Sequence, residues 1–170
     1  MIIDSHHHLW NLRLRDYPWM SPELKPLYRN FLEDDLVKTV QSSHISGTVL
    51  VQAHQSLEET RWLLQIAEKS NLILGVVGWA DLKESNLEKT LEKLKGNLKF
   101  KGVRHLIQDE PDANWMLQPE VIRGLKMLHE ARLTYDLLVK SHQLENALRL
   151  VDRLPEMPII VDHIAKPSIK

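Results

Sequence analysis

The amino-acid sequence predicts an α/β fold in which βα units follow one another, as in a (β/α)8 TIM barrel. Short apolar segments recur along the chain and alternate with segments of helical period. After the first unit these segments are spaced by about 25–34 residues, close to the ~31 residues per unit of a ~250-residue eight-fold barrel. At that spacing, the 170 residues hold about six of the eight units.

Six apolar segments are the predicted strands. Most are continuous apolar runs without alternation, which is typical of strands that are covered on both faces of a parallel sheet. The segments are Ile2–Ile3, Thr48–Val51, Ile73–Val77, Phe100–Val103, Tyr135–Val139 and Ile159–Val161.

Four helices are predicted between these strands. Ser56 with Glu59, and Ser85 with Glu88, have the spacing of a capping box at a helix N-terminus. Gly96 stands where the second of these helices would end. The apolar stripes cover residues 57–67, 87–94, 121–128 and 144–151.

Two features complete the prediction of a single domain over residues 1–170. No glycine-rich phosphate turn follows any strand, which weakens the alternative of an open doubly wound sheet. Residues 11–32, which are rich in aromatic residues and proline, predict an ordered loop over one end of the fold. The last predicted strand begins at Ile159 and the chain stops at Lys170, so we expect a barrel that is incomplete at its C-terminus.

Composition excludes several classes of function. The net charge is −1, without a long basic run, which predicts no nucleic-acid partner and no anionic membrane partner. The apolar runs are too short to cross a bilayer. Because the chain has no cysteine, disulfides and thiolate metal sites are excluded, and a cytoplasmic enzyme is expected.

The strongest local pattern is a pair of histidines after the first strand. His6 and His8 are two residues apart, and side chains at that spacing on a strand point to the same side. Two imidazoles on one face at the end of a strand can share a divalent ion. A bare pair does not make a complete site, and a surface histidine cluster is the alternative.

Polar residues also follow the other predicted strands, and in a barrel all these strand ends meet on one face. Taken singly, His54, His105 and His142 are better explained as loop or helix-cap residues than as site residues. If His163 points into the barrel, we expect Asp162 to point away. His44 and His129 are predicted to lie on the surface. The strand-end residues are Gln52, His54, Trp79, Asp81, Arg104, His105, Lys140, His142, Asp162 and His163.

Six blocks of sequence, in order, resemble the amidohydrolase-2 family of the amidohydrolase superfamily, and in particular its sugar-lactone lactonases. Together they span almost the whole chain. The blocks are residues 3–10 (IDSHHHLW), 51–54 (VQAH) with Glu59 and Thr60, 78–82 (GWADL), 102–111 (GVRHLIQDEP), 115–116 (WM) and 161–167 (VDHIAKP).

This resemblance implies roles for the strand-end residues. His6, His8 and His163 would be metal ligands, and His163 and His54 the catalytic residues. Substrate would be bound by Arg104, Gln52, Trp79 and His105. Arg104 stands where other branches have a metal-bridging lysine, so one divalent ion at most is expected, zinc or manganese, and metal-free catalysis is the alternative.

The implied activity is hydrolysis of a lactone of a sugar acid or related carboxylated ring, with a small molecule as the only expected partner besides a second copy of the chain. The family's eighth-strand aspartate block is absent from residues 1–170, so weak activity or none is expected unless His163 or His54 acts as the base. Two alternatives stay open. One is a non-catalytic truncated fragment that pairs as a homodimer through its exposed strand edges. The other is a decarboxylase of the same superfamily.

Overall fold

The protein, described from a computed structural model over residues 1–169, forms one parallel sheet surrounded by helices. The six strands lie in sequence order, each paired in parallel with the next. The strands are β1 (Ile2–His7), β2 (Ile45–Val51), β3 (Ile73–Gly78), β4 (Phe100–His105), β5 (Thr134–Leu137) and β6 (Ile159–Val161). The helices are α1 (Glu33–Val40), α2 (Leu57–Lys69), α3 (Leu87–Lys95), α4 (Pro119–Glu130) and α5 (Leu144–Val151).

The sheet is strongly curved. β1 and β6 form its two edges, yet Nδ1 of His6 and Oδ1 of Asp162, at the carboxyl ends of these strands, are only 3.6 Å apart. A flat sheet of six strands would hold its edges some 24 Å apart at about 4.8 Å per strand. The strands therefore curl as in the wall of a barrel, and the predicted α/β fold with six units of a TIM barrel is confirmed.

All six predicted strands are present, and the main addition is α1. This helix has only eight residues and begins with three acidic residues, Glu33, Asp34 and Asp35. Acidic side chains in the first turn interact favourably with the helix dipole. Only Leu36 of α1 is buried, so the sequence lacks the apolar stripe that indicates a helix.

The predicted helix ends are partly confirmed. The Ser56 hydroxyl accepts a hydrogen bond from the Glu59 amide at 3.1 Å, as an N-cap should, and Gly96 follows the last residue of α3. The prediction of Ser85 as an N-cap is wrong, because α3 begins one residue later, after Asn86.

The core fills the space between the sheet and the helices, and a smaller cluster lies under residues 11–32, called the aromatic loop from here on. Trp10, Tyr17 and Ala53 form this second cluster. Trp10 and Phe31 pair as a two-residue antiparallel bridge, which closes the base of the loop. The prediction of an ordered loop over one end of the fold is thus confirmed, and the end it covers is the carboxyl end of β2.

Within residues 1–169, none of the helices is both long enough and apolar enough to cross a membrane. The cytoplasmic location stays a prediction. The predicted domain boundary at Lys170 lies outside the described residues.

Candidate active site

The carboxyl ends of three strands bring together five polar side chains, His6, His8, Arg104, Asp162 and His163, called here the histidine–arginine cluster. Nε2 of His6 lies 3.2 Å from Nε2 of His8 and 3.3 Å from Nη1 of Arg104. The rings of His6 and His163 are 4.9 Å apart, centre to centre. Residues from β1, β4 and the end of β6 therefore meet at one mouth, where the active sites of TIM barrels lie.

Arg104 is the buried centre of this cluster, with only 3% of its surface exposed. Its Nη1 donates to Oδ2 of Asp162 at 3.1 Å, and its Nη2 donates to the Gln52 carbonyl oxygen. The Gln52 side chain in turn donates to the Arg104 carbonyl oxygen at 3.3 Å. Burial lowers the pKa of Arg104, and its hydrogen bond to Asp162 opposes that shift. The result is a fixed positive charge beneath the histidines.

The expected orientation of Asp162 is wrong. Asp162 is 2% exposed and points at Arg104, whereas His163 is exposed at the rim. Register explains this, because Asp136 on β5 pairs with Arg104 on β4, and Asp162 lies two residues beyond the β6 partner of Asp136. Residues two apart share a face, so Asp136 and Asp162 belong to the interior side with Arg104.

The chain leaves β6 through a turn of unusual backbone. Four successive residues, from His163 to Lys166, have φ between 49° and 55°. For residues with a Cβ, the left-handed region costs roughly 1–2 kcal/mol each. The turn keeps the His163 ring beside His6 while burying Ala165, and such strain is concentrated at functional sites.

The protonation of His8 follows from its contacts. Burial lowers the pKa of His8 to about 3, with Arg104 as the next cause, so the ring is neutral at pH 7. Its Nδ1 lies 2.8 Å from the Val51 carbonyl oxygen, which can only accept. The proton is therefore on Nδ1, and Nε2 presents a lone pair towards His6.

His6 cannot satisfy both of its neighbours. Burial lowers the pKa of His6, although Asp162 partly opposes the shift. If Nε2 of His6 carries the proton, it donates to His8 but faces an N–H of Arg104. If it carries a lone pair, it accepts from Arg104 but faces the lone pair of His8. Neither tautomer satisfies all three nitrogen atoms.

These donors fit a divalent cation. Ring nitrogens of His6 and His163 and a carboxylate oxygen of Asp162 lie within 4.8 Å of one another. Oδ1 of Asp162 is buried and has no hydrogen-bond partner among the described residues. Nitrogen and carboxylate oxygen ligands suit zinc and manganese. His8 lies outside this group of three, although its Nε2 is 3.2 Å from Nε2 of His6.

Trp79 and His105 form a separate network on the neighbouring strands. The Trp79 indole donates to Nδ1 of His105 at 3.2 Å, so Nε2 of His105 carries the proton and donates to Glu110 at 2.7 Å. The His105 ring stacks on Trp115 with 3.9 Å between centres. Burial lowers the pKa of His105, although Glu110 opposes this. Both ring nitrogens are thus used within the protein, and the half-exposed Trp79 is the member of the network that can meet a ligand.

The other predicted residues lie around the cluster. His54 contacts the aromatic loop, with its ring 6.0 Å from that of Tyr17. His142 is exposed, and Lys140 pairs weakly with Asp109 at 3.8 Å. His44 and His129 are exposed, as predicted.

Sequence reasoning missed two buried carboxylates. Asp136 lies on β5 within the barrel, where burial and then the Asp162 charge raise its pKa to about 7. Glu59 lies under the Ala53–His54 turn, and burial raises its pKa to about 7. The sequence held one signal for Asp136, namely an aspartate inside an otherwise apolar strand. Glu59 was noted as part of a helix cap and of a family block, but not as a buried carboxylate.

Comparison with known proteins identifies a family model and relatives that this chain resembles in sequence. The family model described as amidohydrolase matches residues 3–170. An L-fucono-1,5-lactonase from Burkholderia ambifaria is 34% identical over 167 residues, a match that covers 98% of this chain and 58% of the relative. An L-fucono-1,5-lactonase from Burkholderia multivorans is 33% identical, with 98% and 56% covered. The chain thus spans between half and two thirds of the length of these relatives.

A solved structure resembles this chain in both fold and sequence. The crystal structure of an amidohydrolase from Burkholderia multivorans with bound zinc matches with a TM-score of 0.92 and 33% identity, covering 98% of this chain and 59% of that one. A second crystal form of that protein, with bound HEPES, matches with a TM-score of 0.91. The sequence match over nearly all of the chain and the matching fold give one conclusion: this chain belongs to the amidohydrolase family.

Proposed function

We propose that this chain carries a hydrolase site that opens the ring ester of a sugar lactone, the activity named for its two Burkholderia relatives. The observation that carries the proposal is the histidine–arginine cluster. It sets unprotonated imidazole nitrogen, a buried cation and a carboxylate at the mouth formed by the strand ends. Ester hydrolysis needs a stabilised carbonyl oxygen and a group that accepts a proton from water.

Arg104 supplies the fixed positive charge in this proposal. The sequence predicted that Arg104 binds a substrate substituent directly. Because Arg104 is buried beneath His6, we propose instead that its charge acts on the substrate without direct contact. Negative charge that develops on the lactone carbonyl oxygen is stabilised most by charges that are already in place, because no reorganisation is needed. Gln52 and Asp162 hold the guanidinium in that position.

His163 is the proposed proton acceptor. It is exposed at the rim, and its ring lies beside that of His6. An imidazole there can take a proton from water on one ring nitrogen and return it to the leaving ring oxygen. His54 is the second candidate, because its buried Nδ1 has no hydrogen-bond partner among the described residues.

We further propose one divalent ion, zinc or manganese, with His6, His8 and His163 as its ligands and Asp162 as a fourth. His163 is then the proton acceptor in the metal-free form and a ligand in the metal-bound form, because its one lone pair cannot serve both roles. The zinc in the related Burkholderia multivorans structure supports a metal in this family. When bound, such an ion supplies Lewis-acid polarisation and lowers the pKa of water towards ~7. His8 serves this role through the contact of Nδ1 with Val51, which fixes its tautomer.

The remaining contacts assign substrate binding to the rim. Trp79 is half-exposed, and its indole is fixed by His105. An aromatic face can pack against the C–H face of a sugar ring. His105 is proposed to act through Trp79 and not by touching substrate itself.

Acid release from L-fucono-1,5-lactone and a panel of aldonolactones tests the activity. We expect turnover by the purified protein that falls at least ~100-fold in His163→Gln, the range assigned to a general acid–base group. His129→Gln is the matched control, because His129 is exposed on α4. Carbon dioxide release without acid release would favour the decarboxylase, and no turnover of any lactone would contradict the proposal.

We also propose that copies of the chain associate through the edges of β1 and β6. Apolar side chains are 55% exposed at Ile2, 42% at Ile3, 44% at Ile160 and 47% at Val161. Such edges present unpaired backbone groups. Sedimentation should show a dimer that Ile160→Lys weakens, and a strictly monomeric protein at all concentrations would contradict it.

A further inference from the structure

A buried carboxylate supports the rim of the site from below. The Glu59 side chain, in the first turn of α2, is fully buried. Its Oε2 accepts hydrogen bonds from the Ala53 amide at 3.0 Å and from the His54 amide at 2.7 Å. A capping box would instead turn this side chain back to the Ser56 amide. Glu59 thus holds the turn that follows β2.

The other oxygen of Glu59 faces the aromatic loop. Oε1 lies 3.7 Å from Nη1 of Arg15, whose guanidinium lies 5.2 Å from the centre of the Trp62 ring. Neither of these two atoms has a hydrogen-bond partner within residues 1–169. The ion pair therefore connects the loop to α2 by charge alone, at a place that is shielded from solvent.

The loop residues just after Arg15 rest on the same turn. The Trp19 indole donates to the Ala53 carbonyl oxygen at 2.8 Å, and the Tyr17 ring lies 6.0 Å from that of His54. Ala53 and His54 are therefore held by Glu59 on one side and covered by the aromatic loop on the other. Trp19 itself is 41% exposed, so its side chain can contact a ligand at the mouth.

Helix capping does not account for a carboxylate here. The Ser56 hydroxyl already accepts from the Glu59 amide at 3.1 Å. Burying a carboxylate is unfavourable, and burial raises the pKa of Glu59 to about 7 in spite of the two amides and Arg15. Glu59 is costly to bury. Its contacts with the Ala53–His54 turn and with Arg15 of the aromatic loop explain why a carboxylate is present here.

We propose that Glu59 is a positioning residue that fixes the Ala53–His54 turn and the aromatic loop together, and so sets how the rim binds the substrate ring. The role in substrate binding rests on the proposed function, whereas the effect on the loop does not. Trp19 would offer its face to the apolar side of a sugar ring, and Glu59 would act on binding through Trp19 and His54.

Exchange of the Trp19 indole proton with solvent tests the loop. In protein labelled with ¹⁵N-tryptophan, we expect Glu59→Gln to speed exchange at Trp19 by at least ~10-fold, with no change at Trp79, whose indole is bound elsewhere. The matched control is Glu58→Gln, because Glu58 is the exposed neighbour in the same helical turn. Unchanged exchange at Trp19, or equal acceleration at Trp19 and Trp79, would overturn the proposal.

Arg15→Met tests the loop side without altering α2. It should speed exchange at Trp19 in the same direction, since it removes the partner of Glu59 and keeps the two amide contacts of the carboxylate. No effect of Arg15→Met would show that the ion pair does not seat the loop, and would also overturn the proposal.

Steady-state kinetics with L-fucono-1,5-lactone then separates positioning from chemistry. Glu59→Gln should raise KM by roughly 10-fold and leave kcat within about twofold. A fall in kcat at constant KM would assign Glu59 to the chemical step and overturn the proposal. If the unaltered protein opens no lactone, the proposed function fails, and the Trp19 exchange still decides whether Glu59 fixes the loop.

Discussion

The two polar networks at the mouth of the barrel differ in how completely their atoms are paired. In the network of Trp79, His105 and Glu110, both histidine nitrogens have a protein partner and the ring is stacked on Trp115. In the histidine–arginine cluster, Oδ1 of Asp162 and Nε of Arg104 have no hydrogen-bond partner within residues 1–169. Nε2 of His6 lies close to both Nε2 of His8 and Nη1 of Arg104 and cannot satisfy both.

This difference distinguishes a network that holds its own side chains in place from a cluster that is suited to binding or reaction. A buried polar network with every atom paired is complete without a ligand and serves to hold its members rigid. A cluster with unpaired buried charges is costly, and such arrangements are concentrated at sites that bind or react. We therefore expect a cation or substrate to complete the histidine–arginine cluster, as proposed above.

The largest expected effect is the loss of stability when the buried ion pair is broken. Arg104→Met leaves Asp162 buried without its partner, which should lower the free energy of unfolding by about 3–5 kcal/mol. Arg61→Met, which removes an exposed pair with Glu58, should change it by less than ~1 kcal/mol. Urea unfolding measures both. If both variants lowered the free energy of unfolding equally, the buried pair would contribute no more to stability than the exposed pair.

Zinc should stabilise the cluster and not the paired network. At a free zinc concentration 100 times Kd, the free energy of unfolding should rise by about 2.7 kcal/mol. His8→Asn should abolish most of this gain, whereas His105→Asn should keep it, because both nitrogens of His105 are already used. Unfolding with and without zinc measures the gain. A gain that survives His8→Asn would place the metal elsewhere.

A smaller effect is expected in the pH dependence of stability. The pKa of Asp136 is raised to about 7 in the folded protein, above its ordinary value of 3.8. The folded state thus binds more protons between these values, so the stabilisation is complete at low pH and is lost as pH rises to about 7. The stability of the protein relative to Asp136→Asn should fall between pH 4 and 7 by up to about 3 kcal/mol. A flat difference would contradict the raised pKa.

The smallest effect is expected in the paired network. Trp79→Phe removes one hydrogen bond to His105 and should cost about 1 kcal/mol of stability. Zinc binding should be unchanged in this variant, because within residues 1–169 the Trp79 indole donates to His105 and to none of the proposed ligands. A large loss of zinc affinity in Trp79→Phe, measured by calorimetry, would show that the two networks are coupled.

Much of the site could be predicted because a parallel barrel brings all its strand ends to one face. That rule predicts that all the strand-end residues share a face, and the family resemblance selected His6, His8, Arg104 and His163 from them. The distances from His6 agree with this selection. The placement of Asp162 and His163 together could not be predicted, because alternation puts only one of two adjacent residues on the interior face. Asp162 follows the alternation of β6, whereas the left-handed backbone that begins at His163 returns that ring to the side of His6.

The sequence by itself determined the fold class, the order of the strands and the family, because these follow from short apolar segments and local motifs spread over the whole chain. Tertiary structure decided which polar atoms are left unpaired and which carboxylates are buried. Burial and then the Asp162 charge raise the pKa of Asp136, and burial raises the pKa of Glu59. Burial depends on contacts between residues far apart in sequence, and no local pattern reports it.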